Sequence, residues 1–476
     1  MTDKFRRQVL IGGGAAVAAA GAGLLAISSR DASLVPGKPH ARRVQGDTEL
    51  VDAVEVAVIG GGIVGTSTAL SLAERGVSVA LFEKGVIAGE ASGRAHGLVE
   101  SKHQAAIKQP LIELSKQRWR KLNELTGEDT GWRERDIIQY FETDEKVHEI
   151  EEWQEQVKGA TAHLGRFAHD DDVARLLPGA ATLFKGAFFV PGEGIAEPRL
   201  AAAAIARGGR RLGGKIYENT AVRGIEREGG RVSAVVTERG TVKARAVVLA
   251  GGVWSPVFAR SLGLDLPQFT AYASIQSLAP QPGLPDIVAT LPRVGVRREF
   301  DGGYTVGPMQ GIAPILPSTV REGLRLLPAI RAQGSYIKAR LSWSNFLREL
   351  NTPTQWPLDR PSPFEDIRIL QPRVRDPLLD ESLAYLRSVL PSFDQATVRE
   401  RWAGSLMTTL DNAPVIAPVA QIPGLILGTG FYYGFTMGPG AGEVLADLAT
   451  GRTPSIDLAP FRFERFSDGT QLGFHA

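Results

Sequence analysis

A glycine-rich stretch within residues 54–84 constrains the fold more strongly than any other part of the chain. It reads VEVAVIGGGIVGTSTALSLAERGVSVALFEK, the pattern of a buried strand, a glycine loop, a helix and a second strand. Gly60, Gly62 and Gly65 complete a G-x-G-x-x-G motif, whose glycines allow a tight turn, close approach of a pyrophosphate and close helix packing. Glu83 ends the second strand, where a carboxylate can accept hydrogen bonds from a ribose. The stretch therefore predicts a dinucleotide-binding β-α-β unit.

Patterns typical of a nucleotide-binding domain recur far downstream. Residues 215–255 alternate strand-like runs with glycine turns, and they include a buried strand at 246–249 followed by Gly251. Residues 402–419 and 425–448 predict a strand, a glycine-rich loop and the start of a helix. A nucleotide domain assembled from three distant segments is the layout of flavoproteins. We therefore expect an α/β fold with a split Rossmann-like FAD-binding domain of glutathione-reductase type, and an α+β, mixed-sheet substrate domain with a helical insertion.

Composition argues against several classes of site. The chain of 476 residues has no cysteine, so it cannot form a disulfide, a thiolate metal site, an iron–sulfur cluster or a cysteinyl-linked cofactor. Its net charge of +2, without a basic block that includes aromatic residues, argues against nucleic acid as a partner. Its 7 histidines are scattered without a close pair at ligand spacing, so no metal site is expected.

Residues 1–30 have the pattern of a targeting segment. Arg6 and Arg7 directly precede an uncharged stretch at 9–29, which is the twin-arginine arrangement of a bacterial export route for folded proteins. The stretch is about long enough to span a bilayer, and its positive N-terminal side predicts that the body of the chain lies outside the cytoplasm. The expected location is the bacterial cytoplasmic membrane, facing the periplasm. An ordinary N-terminal helix or tail is the alternative, and residues 31–51 are expected to form a linker outside the fold.

Several motifs together resemble the D-amino-acid-oxidase superfamily of FAD-dependent amine oxidoreductases. They are GGGIVG with EKG, EASGRAHG, VVLAGG, TLDNAPVI and GFTMGPGAGE, spread over most of residues 54–450. Within it the chain looks most like the bacterial membrane-associated L-amino-acid deaminases, because it also carries FEKGVIAGE, QRWRKLNELTGEDTGWR and WPLDRPSPFEDIR. The resemblance implies hydride transfer from the Cα of an amino acid to N5 of non-covalent FAD, after which the imino acid hydrolyses to a 2-oxo acid and ammonia.

The resemblance also implies a division into domains and a set of flavin contacts. The FAD-binding domain would comprise residues 52–105, 200–262 and 399–452, the substrate domain residues 106–199 and 263–398, and a C-terminal tail residues 453–476. The implied FAD-binding residues are Gly60, Gly62, Ile63, Val64, Gly65, Glu83, Lys84, Ser92, Arg94, Val222, Gly251, Asp411, Gly434, Phe435, Thr436 and Met437. Of these, Asp411 would border the flavin ring together with residues 434–437, where backbone N–H groups would stabilise the negative charge of reduced flavin.

An amino-acid substrate needs a cation that fixes its carboxylate, and an arginine can do so with two parallel hydrogen bonds. Residues 291–308, LPRVGVRREFDGGYTVGP, predict a hairpin that turns at 301–303. The family's carboxylate-binding arginine matches Arg297 best, with a surface arginine as the alternative. Tyr433 and Trp402 are further candidates for the catalytic pocket, although aromatic residues near loops are often part of a core.

One departure from the deaminase pattern concerns the substrate. Leu98 stands where the deaminases have a glutamine, and leucine cannot hydrogen-bond a substrate. D-amino acids and N-substituted or secondary amino acids, such as sarcosine- or proline-like compounds, are therefore alternative substrates. A flavin-binding assembly or maturation factor without turnover is a further alternative.

Residues 318–362 carry apolar side chains near helical spacing among basic residues and Trp343. This pattern predicts an amphipathic insertion that lies as a helix pair on a membrane surface. A helical hairpin packed on the substrate domain, or a dimer contact, is the alternative. Because no second nucleotide loop is present for NAD(P), the electrons must pass to O2 or to a membrane acceptor, and the anchor with the insertion favours a quinone or cytochrome.

Overall fold

A computed structural model describes residues 43–161, 165–169, 171–334 and 336–475. The predicted targeting segment 1–30 lies outside the described residues. The strands are β1 Ala53–Ile59, β2 Val79–Phe82, β3 Leu98–Val99, β4 Arg133–Phe141, β5 Arg166–Ala168, β6 Gly186–Ile195, β7 Lys215–Tyr217, β8 Val222–Glu228, β9 Arg231–Thr237, β10 Gly240–Leu249, β11 Gln268–Leu278, β12 Val288–Leu291, β13 Val294–Arg298, β14 Tyr304–Pro308, β15 Gly311–Ile315, β16 Ile337–Leu341, β17 Val398–Thr409, β18 Val415–Pro418 and β19 Leu425–Thr429. The helices are α1 Ile63–Glu74, α2 Gln109–Thr126, α3 Asp144–Val157, α4 Asp171–Leu176, α5 Pro198–Arg211, α6 Ser255–Ser261, α7 Pro317–Glu322, α8 Leu327–Gln333, α9 Trp343–Asn351, α10 Pro363–Asp366, α11 Asp376–Val389 and α12 Gly434–Ala449.

The first sheet joins strands from three distant parts of the chain. Strand β1 pairs in parallel with β2 and β10, and the parallel core continues through β7 beside β2 and β19 beside β10. Strand β18 is antiparallel to β19, while the β8-β9 hairpin is attached to β10. Parallel strands are usually covered on both faces, which explains why every residue of β2 and β19 is buried.

Helices from separate segments cover one face of this sheet. Helix α1 packs against α12 and α5, and α12 packs against α2. The apolar side chains of α2, among them Trp119, are buried in the same core as those of α1. The predicted boundary placed α2 in the substrate domain, but its amphipathic face is buried against the nucleotide-binding unit. Chain order alone does not show which core a helix joins.

The second sheet is mixed, with the order β16-β15-β11-β14-β13-β12-β4-β6-β3. The predicted hairpin is present, since β13 and β14 pair antiparallel across the turn at residues 301–303. Strand β17 pairs with β11 along its length, so its residues lie in this sheet although the predicted boundary at 399 assigned them to the FAD-binding domain. Helix α11 packs on this sheet, and the apolar side chains between them form a separate buried core that includes Leu383 and Leu386.

The predicted linker and insertion both differ from expectation. Within 31–51, the described residues from 43 onward pack on the fold: Val44 is buried, and the carboxylate of Asp47 accepts a hydrogen bond from the backbone of Ile216 at 2.9 Å.

The insertion 318–362 contains three short helices and β16, which pairs in parallel with β15. Pro328 lies in the first turn of α8, where its missing N–H disrupts no hydrogen bond. None of the helices in the described ranges is long and apolar enough to cross a membrane.

The C-terminal tail is fixed by a buried ion pair. The guanidinium of Arg465 donates to both carboxylate oxygens of Asp411, at 2.7 and 3.1 Å, and the two residues are 3% and 2% exposed. Burial alone would raise the pKa of the Asp411 carboxyl, yet the Arg465 guanidinium holds it below its usual value. The pair therefore stabilises the packing of the described part of the tail, residues 453–475, on the strand-to-loop turn after β17.

Replacing Arg465 by methionine should lower the free energy of unfolding by about 3–5 kcal/mol, because the carboxylate of Asp411 would remain buried without its cation. The measurement is urea unfolding followed by tryptophan fluorescence. Arg462→Met is the matched control, since Arg462 pairs with Asp468 nearer the surface, where an ion pair contributes about 0–1 kcal/mol. Equal effects of the two substitutions would contradict a stabilising role for the buried pair.

Candidate active site

A cavity of about 560 Å³ is lined by residues of both sheets. At one end lie Ile59, Phe82 and Leu249, the last residues of three neighbouring parallel strands. This carboxyl edge is where open α/β sheets bind their ligands. At the other end lie Gln139 and Thr290, from the mixed sheet. The cavity therefore connects a nucleotide-binding edge with a pocket in the second sheet.

The glycine loop forms a cradle that side chains would fill. Gly60 has a φ of +112°, and a Cβ there would overlap the carbonyl of Ala250. A Cβ on Gly65 would overlap the carbonyl oxygen of Gly60, so α1 can approach the loop this closely only without a side chain. The Ser92 hydroxyl accepts a hydrogen bond from the backbone of Ile63 at 2.9 Å and holds the first turn of α1. The cradle and the positive end of the helix fit the pyrophosphate of a dinucleotide.

Glu83 fixes the shape of this cradle. Its two carboxylate oxygens accept hydrogen bonds from the backbone N–H groups of Gly61 and Gly85, each at 2.7 Å. Burial raises the pKa of the Glu83 carboxyl, although Lys84 and both hydrogen bonds oppose the increase. Each carboxylate oxygen has a second lone pair, so Glu83 can also accept a hydrogen bond from a ribose in the cavity it lines.

The structure brings most of the predicted FAD-binding residues to one cavity. Its walls include Gly60, Gly62, Ile63, Val64, Glu83, Lys84, Ser92, Arg94, Val222, Gly251, Gly434, Phe435 and Thr436. Gly65 and Met437 are not in the wall: Gly65 supports the loop from behind, and Met437 is buried in the core beside α1. The assignment of Asp411 to the border of the flavin ring was wrong, because its carboxylate is paired with Arg465 and the residue is not in the cavity wall.

The assignment of Arg297 to the substrate carboxylate was also wrong. Its guanidinium pairs with Glu197 through two hydrogen bonds, 2.9 Å between Nη1 and Oε1 and 3.3 Å between Nη2 and Oε2. Its Nε donates to the carbonyl of His96, and the residue is 1% exposed and not in the cavity wall. Burial raises the pKa of the Glu197 carboxyl, but Arg297 holds it below its usual value. The alternation in β13 predicted the strand but could not show a partner 100 residues upstream.

The predicted aromatic residues separate into two groups. Tyr433 lines the cavity beside Tyr432. Trp402 does not line it: its indole N–H donates to the carbonyl of Arg94 at 3.0 Å, and the guanidinium of Arg199 lies 5.3 Å from its ring centroid. Trp402 thus supports the backbone of a residue in the cavity wall without reaching the cavity itself.

A polar cluster in the second half of the cavity was missed by sequence reasoning. It consists of Glu100, Lys102, His103, Gln104, Gln139 and Thr290, all in the cavity wall. The Lys102 ammonium lies 2.9 Å from the Glu100 carboxylate and donates to the Thr290 hydroxyl at 3.2 Å. The available signal was the alternation of charged residues in VESKHQ directly after β3, which places them on one side of an extended chain.

The start of α12 completes the site between these two ends. Gly434, Phe435 and Thr436 form its first residues and line the cavity. Free N–H groups and the helix dipole at such an N-terminus favour negative charge. The residues present therefore fit FAD, with the dinucleotide part at the glycine loop and a place for negative charge beside α12.

Gly65→Ala should weaken FAD binding by roughly 30-fold, because the added methyl group pushes α1 away from the loop at a cost of about 2 kcal/mol. The measurement is titration of FAD into flavin-free protein. Gly473→Ala is the control, since a Cβ there meets no atom within 4 Å. An unchanged dissociation constant for Gly65→Ala would contradict the role assigned to this close approach.

Comparison with known proteins agrees with this geometry. The family described as FAD dependent oxidoreductase (DAO) matches residues 55–448. The structure of the L-amino acid deaminase from Proteus myxofaciens, in complex with anthranilate, is 34% identical with a TM-score of 0.87, covering 91% of this chain and 98% of that one. The L-amino acid deaminase from Proteus vulgaris is 33% identical with a TM-score of 0.86, covering 89% and 100%.

A more distant relative covers the same region. Glycine oxidase from Bacillus licheniformis is 26% identical over 421 residues, which is 86% of this chain and 97% of that protein. The family match, the glycine cradle and the cavity that joins it to the second sheet all point the same way. The chain belongs to the DAO family of FAD-dependent oxidoreductases, and it is an FAD-dependent amino-acid oxidoreductase of the kind that acts on CH–NH2 or CH–NH groups.

Proposed function

We propose that this protein converts L-amino acids to 2-oxo acids and ammonia and delivers the electrons to a quinone or cytochrome of the bacterial cytoplasmic membrane, on its periplasmic side. The observation that carries the proposal is the continuous cavity, which extends from the glycine cradle past α12 to a buried polar end. The likeness to two Proteus L-amino acid deaminases over about nine-tenths of the chain supports the L-amino-acid substrate.

The chain's residues contribute to the reaction by binding and orientation. When bound, FAD supplies an acceptor for the hydride of the substrate Cα at its N5 position. The N-terminus of α12 favours the negative charge that accompanies reduction. Tyr433 lines the cavity, and burial raises the pKa of its phenol well above the ordinary value, so the hydroxyl stays protonated as a hydrogen-bond donor.

The insertion supports the membrane part of the proposal. Large apolar side chains are exposed on it, including Leu324 at 81%, Ile330 at 59% and Trp343 at 66%. Basic residues accompany them, namely Arg321, Arg325, Arg331, Lys338, Arg340 and Arg348. Such a surface favours an anionic lipid interface. Because Tyr336 and Ile337 of the same segment line the cavity, a docked membrane would bring a lipid-soluble acceptor close to it.

Oxidation of D- or N-substituted amino acids is a second candidate function. Leu98 lies in the cavity wall, where an apolar side chain provides no hydrogen bond to a substrate carboxylate or amine. The similarity to a glycine oxidase also favours a small, achiral substrate such as glycine.

The first test is an anaerobic absorption spectrum of the purified FAD-loaded protein, before and after addition of pooled L-amino acids and then pooled D-amino acids. We expect the L pool to bleach the flavin band, because hydride transfer removes the absorbance of oxidised flavin. Bleaching by the D pool or by N-methyl amino acids alone would favour the second candidate. No bleaching by any pool would contradict both enzymatic proposals and favour a maturation factor.

The electron acceptor is tested on the reduced protein. Reoxidation by a soluble quinone that is much faster than reoxidation by air would support the proposed acceptor, whereas vigorous peroxide formation without detergent would contradict it.

The membrane surface can be tested with variants of the insertion. Leu324→Asp combined with Ile330→Asp should weaken sedimentation with phosphatidylglycerol vesicles by tenfold or more, because each buried leucine or isoleucine contributes about 1.5–3 kcal/mol. All proteins in this comparison lack residues 1–42, so that the N-terminal segment does not contribute to vesicle binding. Leu183→Asp is the matched control, since Leu183 is 92% exposed but lies far from the insertion in sequence. Equal binding of all three proteins would exclude this surface as the lipid contact.

A further inference from the structure

Four cations line the described cavity, namely Lys84, Arg94, Lys102 and Arg368. Three of them already hold protein groups. The Lys84 ammonium contacts Glu90 and two backbone carbonyls at 2.8 Å each, and the Arg368 guanidinium binds both oxygens of Glu238 at 2.5 Å. The guanidinium of Arg94 donates to the carbonyls of Leu370 and Ala403. These three cations position loops around the glycine cradle.

Lys102 also holds protein groups, but both of them are side chains of the cavity wall. By contrast, Lys84 and Arg94 bind backbone carbonyls, and Arg368 binds a carboxylate outside the wall. The Lys102 ammonium contacts the Glu100 carboxylate at 2.9 Å and the Thr290 hydroxyl at 3.2 Å, and all three residues line the cavity. Lys102 is 3% exposed and Glu100 is 5% exposed. Removing two charges from water in this way costs much free energy unless each charge keeps an opposite charge nearby. The cavity is therefore lined by a buried pair that can exchange one partner for a charged ligand.

The pair lies next to the helix that accompanies the flavin. The backbone N–H of Glu100 donates to the Thr436 hydroxyl at 3.2 Å, and the same hydroxyl donates to the carbonyl of Leu98 at 3.4 Å. Glu100 is also close enough to Tyr433 to add to the effect of burial in raising the pKa of that phenol. The Glu100–Lys102 pair is thus on the side of the cavity where the reacting atoms of a substrate would lie.

Other candidates for a carboxylate-binding cation fail on charge or position. Burial, assisted by Arg297, lowers the pKa of His96 to about 4, and burial, assisted by Lys102, lowers that of His103 to about 3. Both imidazoles are therefore neutral near pH 7. The guanidinium of Arg297 is bound by Glu197 outside the cavity wall.

We propose that Lys102 and Glu100 form a receptor for the zwitterion of the substrate, in which Lys102 binds the α-carboxylate and Glu100 binds the α-ammonium group. In the free protein the two side chains neutralise each other. An amino acid carries both opposite charges on one carbon, so each side chain keeps a counter-charge after the exchange. This inference rests on the proposed function, since it assumes an amino-acid substrate. It predicts discrimination against amines without a carboxylate and against 2-hydroxy acids.

The test uses the full-length FAD-loaded protein and two probes, benzoate and its neutral isostere benzamide, whose binding is followed by perturbation of the flavin spectrum. The wild-type protein should prefer benzoate. In the double variant Glu100→Gln/Lys102→Met, which leaves no unpaired charge, the preference should fall by about 100-fold, as for loss of a charge-assisted contact. The matched control is Arg75→Met/Asp447→Asn, which removes another largely buried pair, 3.1 Å apart and outside the cavity wall, and should keep the preference.

The single variant Glu100→Gln gives a result that a merely structural role would not produce. It should tighten benzoate binding, because Lys102 loses its competing anion, and it should raise KM for amino acids, because the ammonium group loses its partner. The variant also serves if the double variant does not retain FAD. Unchanged benzoate affinity in Glu100→Gln, or an unchanged preference in the double variant, would overturn the inference.

The two proposals can fail separately. If amino acids bleach the flavin while the benzoate preference is the same in both double variants, the deaminase function holds and the receptor is wrong. If no amino acid bleaches the flavin but the preference is lost only in Glu100→Gln/Lys102→Met, Lys102 is confirmed as the carboxylate site and the proposed reaction is wrong.

Discussion

The close contact between α1 and α12 is the constraint on which the rest of the site depends. A Cβ on Gly438 would lie 2.7 Å from the side chain of Ile63, and a Cβ on Gly442 would lie 2.5 Å from atoms of Ser67. Small residues let two helices from opposite ends of the chain lie side by side, so that their N-termini reach the same cavity. One N-terminus belongs to the glycine cradle, and the other provides the position for negative charge. A larger side chain at this contact would separate the two halves of one cofactor site.

The sequence predicted local geometry better than partnerships between distant residues. The G-x-G-x-x-G loop was recognisable because its glycines recur at a fixed spacing between a strand and a helix, and the close contact of Gly65 with Gly60 lies within that motif. The hairpin of β13 and β14 was recognisable by alternation. By contrast, Arg297 was placed in the correct strand, but its partner was predicted to be the substrate carboxylate. Nothing in the sequence near Arg297 indicates that its guanidinium binds the carboxylate of Glu197. A charged residue in a strand has no sequence signal for the charge it meets across the fold.

The same limit explains why Asp411 was misassigned and why Lys102 was missed. TLDNAPVI indicated that Asp411 is near the cofactor, and its neighbour Asn412 does line the cavity, but the carboxylate turns toward Arg465. Alternating charges such as those at 100 and 102 do not by themselves indicate burial. Only the packing of that segment beside Thr436 shows that the two charges are buried together. Fold class follows from local periodicity, whereas the chemistry of this cavity follows from long-range packing.

The way the cofactor site is assembled also bears on the proposed periplasmic location. Its walls include Gly60 of the N-terminal segment, Val222 and Gly251 of the middle segment, and Thr436 near the end of the chain. These residues meet only after strands β1, β10 and β19 have paired in one sheet. An unfolded chain therefore has no site for FAD, and a chain that acquires FAD in the cytoplasm must cross the membrane already folded. The predicted twin-arginine signal and the three-segment cofactor site therefore agree with each other. The cofactor site exists only in the folded protein, and the twin-arginine route exports folded proteins.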